Sequence, residues 1–344
     1  TALEASAIGA HQALTPVIDV AREPRWGRVE ETYGEDPYLS AQMGMAAVRG
    51  FQGDATFKEK IKLIATLKHL AGHGQPESGM NISPANYSER IIREIFLYPF
   101  KEVVTKAGAM SLMASYNEID GVPSHANTWL LREVLRGEWG FNGYIVSDYY
   151  ALRELNDREN LFGHGVAKDT DEAAKLAVKA GVNIELPEQD VYNHSLIRLV
   201  KEGIIKESEI DELIAPMLAA KFQLGLFDNP YVDTKRANEI VGRGEHRDVA
   251  KEAALKTITL LQNKGSIAPI DQDTVKTIAV IGPNADRSLL GGYSGEPSVD
   301  VSVLEGIKQK VGSKVKVLYA EGCKITTTSG WTNEEVELED SEVD

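Results

Sequence analysis

The chain has 344 residues, 42% hydrophobic and 26% charged, enough for two domains, or for one barrel plus part of a second domain, around a sizeable core. Lys and Arg number 37 against 52 Asp and Glu, a net charge of −15 that disfavours nucleic acid and anionic membrane as partners and suits a neutral or cationic ligand. The one cysteine, Cys323, excludes an internal disulfide framework and any multi-cysteine metal site, and no run of ~18 apolar residues is present to span a membrane.

In chain order, residues 1–12 are Ala-rich and predict a helix, and 15–20 predict a strand. The loop 21–37 is dense in charge, Gly and Pro. Its Trp26 and Tyr33, interleaved with Arg22, Arg25 and Arg28, fit a sugar platform with cationic donors and a salt-bridged loop equally well. Residues 37–50 read as a helix, and 62–67 as a strand ending in Lys68 and His69, adjacent polar residues of which at least one should look into a barrel mouth. After the Gly- and Pro-rich segment 72–79, the pairs Ile91/Ile95 and Ile92/Phe96 predict a helix over 87–106, with Glu89 and Arg93 paired outside. A strand over 109–114 carries Met113 and ends in the polar tip Ser115, Tyr116, Asn117, and a helix follows over 127–136.

Gly143 then ends a turn, Tyr144, Ile145 and Val146 read as a buried strand, and Asp148 stands where that strand should stop. Catalytic side chains occupy such strand ends in parallel barrels, although Ser147 or Asp148 capping the next helix is the plainer reading of this stretch alone. A helix over 170–180, a strand over 181–186 ended by Pro187, and helices over 190–201 and 207–224 complete five strand–helix alternations between 15 and 203. That rhythm predicts an α/β fold, a (β/α) TIM-like barrel, over 1–225. Residues 226–245 then serve as a linker, and an α/β/α sandwich begins over 246–344. In that second part a helix over 246–262 leads to strands over 276–281 and 314–319. The turn Gly282, Pro283, Asn284, Ala285 lacks the glycine spacing of a dinucleotide site, and the loop 290–295 reads as close backbone packing or a ligand-facing turn. The run 333–344 reads as a solvated acidic tail.

Several of these segments occur in one order that resembles glycoside hydrolase family 3, the β-glucosidase and β-xylosidase family: the REPRWGRVEETYGEDP run from Arg22, Lys68–His69, Ser88–Glu89–Arg90, Met113 with Ser115–Tyr116–Asn117, Val146–Ser147–Asp148, and IAVIGPNAD from Ile278. The resemblance covers essentially the whole chain. It implies a barrel followed by an α/β/α sandwich, with Asp148 as the nucleophile. It also implies that Arg28, Lys68, His69 and Tyr116 hold the non-reducing sugar, with Met113 and Tyr149 as apolar walls. The activity implied is that of a retaining exo-acting β-glycosidase acting on terminal β-D-glucosyl or xylosyl residues, without metal or cofactor. Its partners would be a small neutral β-linked saccharide or aryl glycoside, the remaining segments of the same enzyme, and a second copy in a homodimer, in a periplasmic or secreted location.

The chain departs from the family pattern in three ways. Ser78–Gly79–Met80 stands where many members have a further Arg, and Asn183 where the usual residue is Asp. Members also carry a sugar-binding Asp before a segment like 1–12 and a general-acid Glu beyond 344, so a fragment of a longer enzyme is expected. Glu321 is the candidate acid within the chain, against its plainer reading as a strand-end residue before a turn. The alternatives are a β-N-acetylglucosaminidase of the same family, disfavoured because Gln75–Pro76–Glu77–Ser78–Gly79 follows the Gly72–His73–Gly74 run, a Schiff-base aldolase using Lys68, and a catalytically incomplete sugar-binding fragment.

Overall fold

The computed structural model describes residues 1–54, 57, 62–159, 162–291, 293–295, 297 and 299–323. They fall into two compact units, the first within 1–249 and the second from 250 onward. The first unit is built on strands β1 (Gln12–Ala13), β2 (Ile64–Leu70) and β3 (Ser111–Ala114). A small antiparallel pair follows, β4 (Glu118–Ile119) with β5 (Val122–Pro123), and then come β6 (Tyr144–Tyr149) and β7 (Ile184–Leu186). The main sheet runs β1-β2-β3-β6-β7, all parallel. Neighbours in space are therefore neighbours in the chain, with helices between them and no reversal of order. That is the winding of a (β/α) barrel rather than of a doubly wound sheet.

Strand alternation sorts the side chains onto two faces. Ala65, Leu67, Leu112, Ala114 and Ile145 pack with Val48, Phe100 and Leu130 of the covering helices. Ile64, Met113, Tyr144 and Val146 point the other way and pack with Ala220 and Leu224. On that inner face the Gln12 side-chain amide donates to Thr66 Oγ1 (2.7 Å) and Ser111 Oγ (3.2 Å), tying three strands together.

Gly143, just before β6, lies against the chain entering β3. A Cβ there would lie 2.1 Å from the Met110 carbonyl oxygen, which already accepts the Tyr144 N–H. Gly143→Ala is expected to force this junction apart and cost about 1–3 kcal/mol, read as a lower urea midpoint for the first unit.

Several elements differ from the sequence expectation. The first helix spans only Ala2–Ala7, because Gly9 at φ 96° ends it and frees Gln12–Ala13 to join the sheet. Residues 15–20 are extended and bonded to β2 by Thr66 N–H to Thr15 O, Lys68 N–H to Pro16 O and Ile18 N–H to Lys68 O, but Pro16, with no N–H to give, interrupts the ladder. The helix expected over 87–106 is broken into Glu89–Ile91, a π turn over Ile92–Phe96 and Tyr98–Ala107, since Pro99 cannot continue the α ladder. The helix expected over 127–136 is a π-helix over Trp129–Glu138.

Where a linker was expected, a helix spans Thr234–Ile240, and Glu4 Oε1 accepts from Gly242 N–H (2.8 Å) and His246 Nδ1 (2.7 Å), fastening this stretch to the first helix. The second unit pairs β8 (Thr277–Ile281) in parallel with β9 (Lys316–Ala320), and the helix Val303–Val311 lies between them in the chain. Residues 333–344 and Gly292 of the 290–295 loop lie outside the described residues. No described helix is long and apolar enough to cross a membrane.

Candidate active site

The polar side chains singled out above collect at the carboxyl ends of the strands. Asp148 is the penultimate residue of β6, on the inner face two positions after Val146, and only 7% exposed. Its Oδ1 accepts the Tyr149 N–H at 2.8 Å, while its Oδ2 has no hydrogen-bond partner among the described residues. Behind it, His125 Nε2 accepts the Asp148 N–H at 3.1 Å. Burial pushes the carboxyl up to about 6, against the pull of the Tyr149 N–H, the Arg28 and Lys68 charges and the Tyr116 hydroxyl.

His69 Nε2 lies 3.6 Å from Asp148 Oδ2. Strict alternation would turn His69 away from the side that Lys68 faces, but the β2–β3 register breaks between Leu67 and Leu70, so His69 reaches Asp148 while Lys68 remains in its field. Burial lowers the Lys68 ammonium, and Asp148 works against that shift. Arg28 donates from Nε and Nη2 to the two Glu31 carboxylate oxygens (2.7 and 2.9 Å), from Nη1 to His73 Nε2 (3.0 Å) and from Nη2 to His69 Nε2 (3.1 Å). Tyr116, just past β3, donates its hydroxyl to the Tyr149 carbonyl at 2.8 Å. Burial, then the Asp148 charge, drives that phenol upward. His164 Nε2 donates to the Tyr116 carbonyl at 2.9 Å and fixes its backbone.

Arg28, Lys68, His69 and Tyr116 thus surround Asp148, and the Tyr149 side chain stands 46% exposed beside it. Met113 is different. It pairs in register with Val146, two residues short of Asp148, is 2% exposed and packs within the inner apolar cluster, so it is floor beneath the carboxylate rather than a wall. Trp26 is also 2% exposed, edge-on to His73 at 5.1 Å, with its indole N–H given to Asn81. It is not an exposed sugar platform. With Arg25 paired to Glu23 and Arg28 to Glu31, the loop 21–37 is the salt-bridged structure. Glu321 follows β9 and lies 3.7 Å from Arg287. Asn183 accepts from Ile145 N–H (2.7 Å) and Arg136 (3.0 Å) while donating to the Leu213 carbonyl (2.6 Å), and an Asp could not make that last bond.

Four further residues belong to this cluster. Asp19 receives both the backbone N–H and Nδ1–H of His69, and its only sequence signal was an acidic residue inside an apolar strand. His73 carried a weak signal in its Gly-His-Gly setting, and burial holds it well below the ordinary histidine range. His125, lowered to about 3 by burial, carried none. Glu154 closes the short helix Ala151–Glu154 that follows β6. It is 7% exposed, its Oε2 has no partner among the described residues, and burial, then the charge of Asp148, pushes it up to about 8. Among the described residues, no group of three His, Cys, Asp or Glu side chains is arranged to hold a metal ion.

Residues 1–219 match the glycosyl hydrolase family 3 N terminal domain, and 258–343 match that family's C-terminal domain. The chain belongs to glycosyl hydrolase family 3. Family relatives include a β-xylosidase of Formosa agariphila, 42% identical over 96% of this chain and 47% of the relative, and a periplasmic β-glucosidase of Salmonella typhimurium, 35% identical over 96% and 43%. Among solved structures, a β-glucosidase from Erythrobacter marinus superimposes with a TM-score of 0.87 at 41% identity, covering 95% of this chain and 43% of that one. A Listeria innocua β-glucosidase in complex with glucose gives 0.85 at 36%, covering 95% and 44%. The chain spans less than half the length of the curated relatives it matches.

Proposed function

We propose that this family 3 chain carries the nucleophile and sugar-holding side chains of a retaining, exo-acting β-glycosidase that removes terminal non-reducing β-D-glucosyl or xylosyl residues. The observation that carries the reading is a buried strand-end carboxylate, Asp148, with one oxygen fixed by the Tyr149 N–H and the other unpartnered among the described residues, beside Arg28, Lys68 and His69. In such a reaction Oδ2 attacks the anomeric carbon as the glycosidic bond breaks, and the leaving oxygen takes a proton from a second carboxyl. Water then attacks the same carbon, giving its proton to the second carboxylate, and the glycosyl ester breaks to restore the Asp148 carboxylate. Arg28 and Lys68 favour the ionised nucleophile, and both present donors suited to sugar hydroxyls. Tyr149 offers an aromatic surface at the rim.

A small neutral β-linked saccharide or aryl glycoside suits the donors gathered around Asp148. One relative is named periplasmic, and a periplasmic or secreted location is the reading adopted. Matched aryl β-glucoside, β-xyloside and β-N-acetylglucosaminide substrates test the assignment on the intact enzyme. Turnover of the first or second is expected, with the N-acetyl substrate at least about 10²-fold slower, because a pocket fitted to one hydroxyl rejects a bulkier amide. Preference for the N-acetyl substrate would move the protein to that branch, and inertness toward all three would overturn the glycosidase reading.

A further inference from the structure

Asp19 is 2% exposed, and burial pushes its carboxyl up to about 6. Sinking a carboxylate is costly, and the backbone does not require it, because main-chain bonds from Thr15, Pro16 and Ile18 to β2 already hold this segment in place. Among the described residues, both bonds the side chain makes go to one residue. Oδ2 accepts the His69 backbone N–H at 3.0 Å and His69 Nδ1 at 2.7 Å.

The other face of the ring shows why that matters. Arg28 Nη2 lies 3.1 Å from His69 Nε2, and a guanidinium only donates. Nε2 must therefore present a lone pair, which places the ring proton on Nδ1, where Asp19 receives it. A ring protonated at Nε2 would set two donors against each other at that distance and push Arg28 off its post. Burial and the nearby Arg28 and Lys68 charges, which hold His69 well below the ordinary range, keep the doubly protonated ring out as well. Arg28 is also gripped on its other arm by His73 Nε2 and from behind by Glu31, and the His69 tautomer decides whether the remaining contact of Nη2 attracts or repels the guanidinium.

We propose that Asp19 is a positioning residue that fixes His69 in its Nδ1–H tautomer and thereby aims Arg28 at the sugar bound beside Asp148. Its catalytic consequence rests on the glycosidase reading above, whereas the tautomer itself does not. Asp19→Ala and Asp19→Asn separate the tautomer from the charge. An Asn must turn its carbonyl oxygen toward His69, because the His69 backbone N–H is an obligate donor, and so it still receives Nδ1–H. An Ala receives nothing.

In the protein labelled with ¹⁵N-histidine, the His69 ring is expected to be protonated at Nδ1 in the wild type and in Asp19→Asn, and to shift to Nε2–H in Asp19→Ala. In the intact enzyme, Asp19→Ala is expected to lower kcat/KM about 10–100-fold, mainly through KM, as when a group orienting a site histidine is lost, while Asp19→Asn stays within about threefold of wild type. A wild-type ring protonated at Nε2 overturns the proposal whether or not Asp19→Ala folds. Equal losses in the two variants would assign the effect to charge and overturn it too. Should no glycoside be turned over, the ring-nitrogen signals still decide the tautomer, and only the assigned reaction fails.

Discussion

Replacing Asp148 by Gly in the intact enzyme is expected to lower kcat on an activated aryl β-glycoside by about 10⁴-fold or more, the scale seen when a covalent nucleophile is removed. Asp148 lies near the end of β6 with its side chain on the inner face and keeps one oxygen without a partner among the described residues, beside two cationic side chains. The backbone at this position is held independently of the carboxyl, through Asp148 N–H to His125 and Tyr150 N–H to Leu186 O at 2.9 Å, so the Gly variant should keep its shape. The vacated space is that of a carboxylate, and azide is expected to enter it and restore part of the turnover, giving a glycosyl azide of opposite anomeric configuration. With the carboxyl pushed up to about 6, the acid limb of kcat/KM is expected near that pH in the wild type and absent from the azide-rescued variant. Undiminished turnover without azide would remove Asp148 from the mechanism.

What the sequence revealed of this site follows a physical rule. Residues at strand ends announce themselves, because a polar side chain closing an apolar run has few structural reasons to be there; Asp148, Lys68, His69 and Tyr116 were legible in that way. The strand–helix rhythm likewise made the parallel winding readable, since each element has its own period. Asp19 was hidden because its role lies in a bond to a residue 50 positions away. Glu154 was hidden because, on a short helix beginning at Ala151, a glutamate reads as surface, and only the packing of residues around it makes it buried. Met113 and Trp26 were legible as apolar or aromatic but not as to depth: their type says that they prefer contact, and the fold decides whether that contact is sugar or core. The broken helix over 87–106 shows the converse, a signal present in Pro99 that the hydrophobic periodicity around it concealed.

Glu154→Gln is expected to stabilise the first unit in a pH-dependent manner. In the unfolded chain this carboxyl titrates near 4.5, and in the native protein it is pushed up to about 8 by burial, then by the Asp148 charge. Between those values the unfolded chain has released a proton that the native state keeps, so native stability falls as pH rises from about 4.5 to about 8 and then levels off. At about 1.4 kcal/mol per pH unit, the ceiling on this loss is on the order of 5 kcal/mol. Gln has nearly the same shape and no proton to lose, so the variant escapes the penalty. The two proteins should match near pH 4.5, and the variant should gain steadily to about pH 8.

Asp19 and Asp148, raised in the same sense, and His69, His73 and His125, lowered by burial, also make stability depend on pH, but they are present in both proteins and largely cancel in the difference. The exception is Asp148, whose charge Glu154 opposes; its own pKa is expected to fall slightly in the variant, adding to the gain. Urea unfolding followed by tryptophan fluorescence reports chiefly this unit, which holds Trp26, Trp129 and Trp139 of the chain's four tryptophans. Measured at each pH from 5 to 9, a difference that grows through the window supports a buried, protonated Glu154 beside Asp148. A difference that is constant with pH would mean that the carboxyl is ionised or solvated in the native protein, and that Asp148 does not share its surroundings with a second acid.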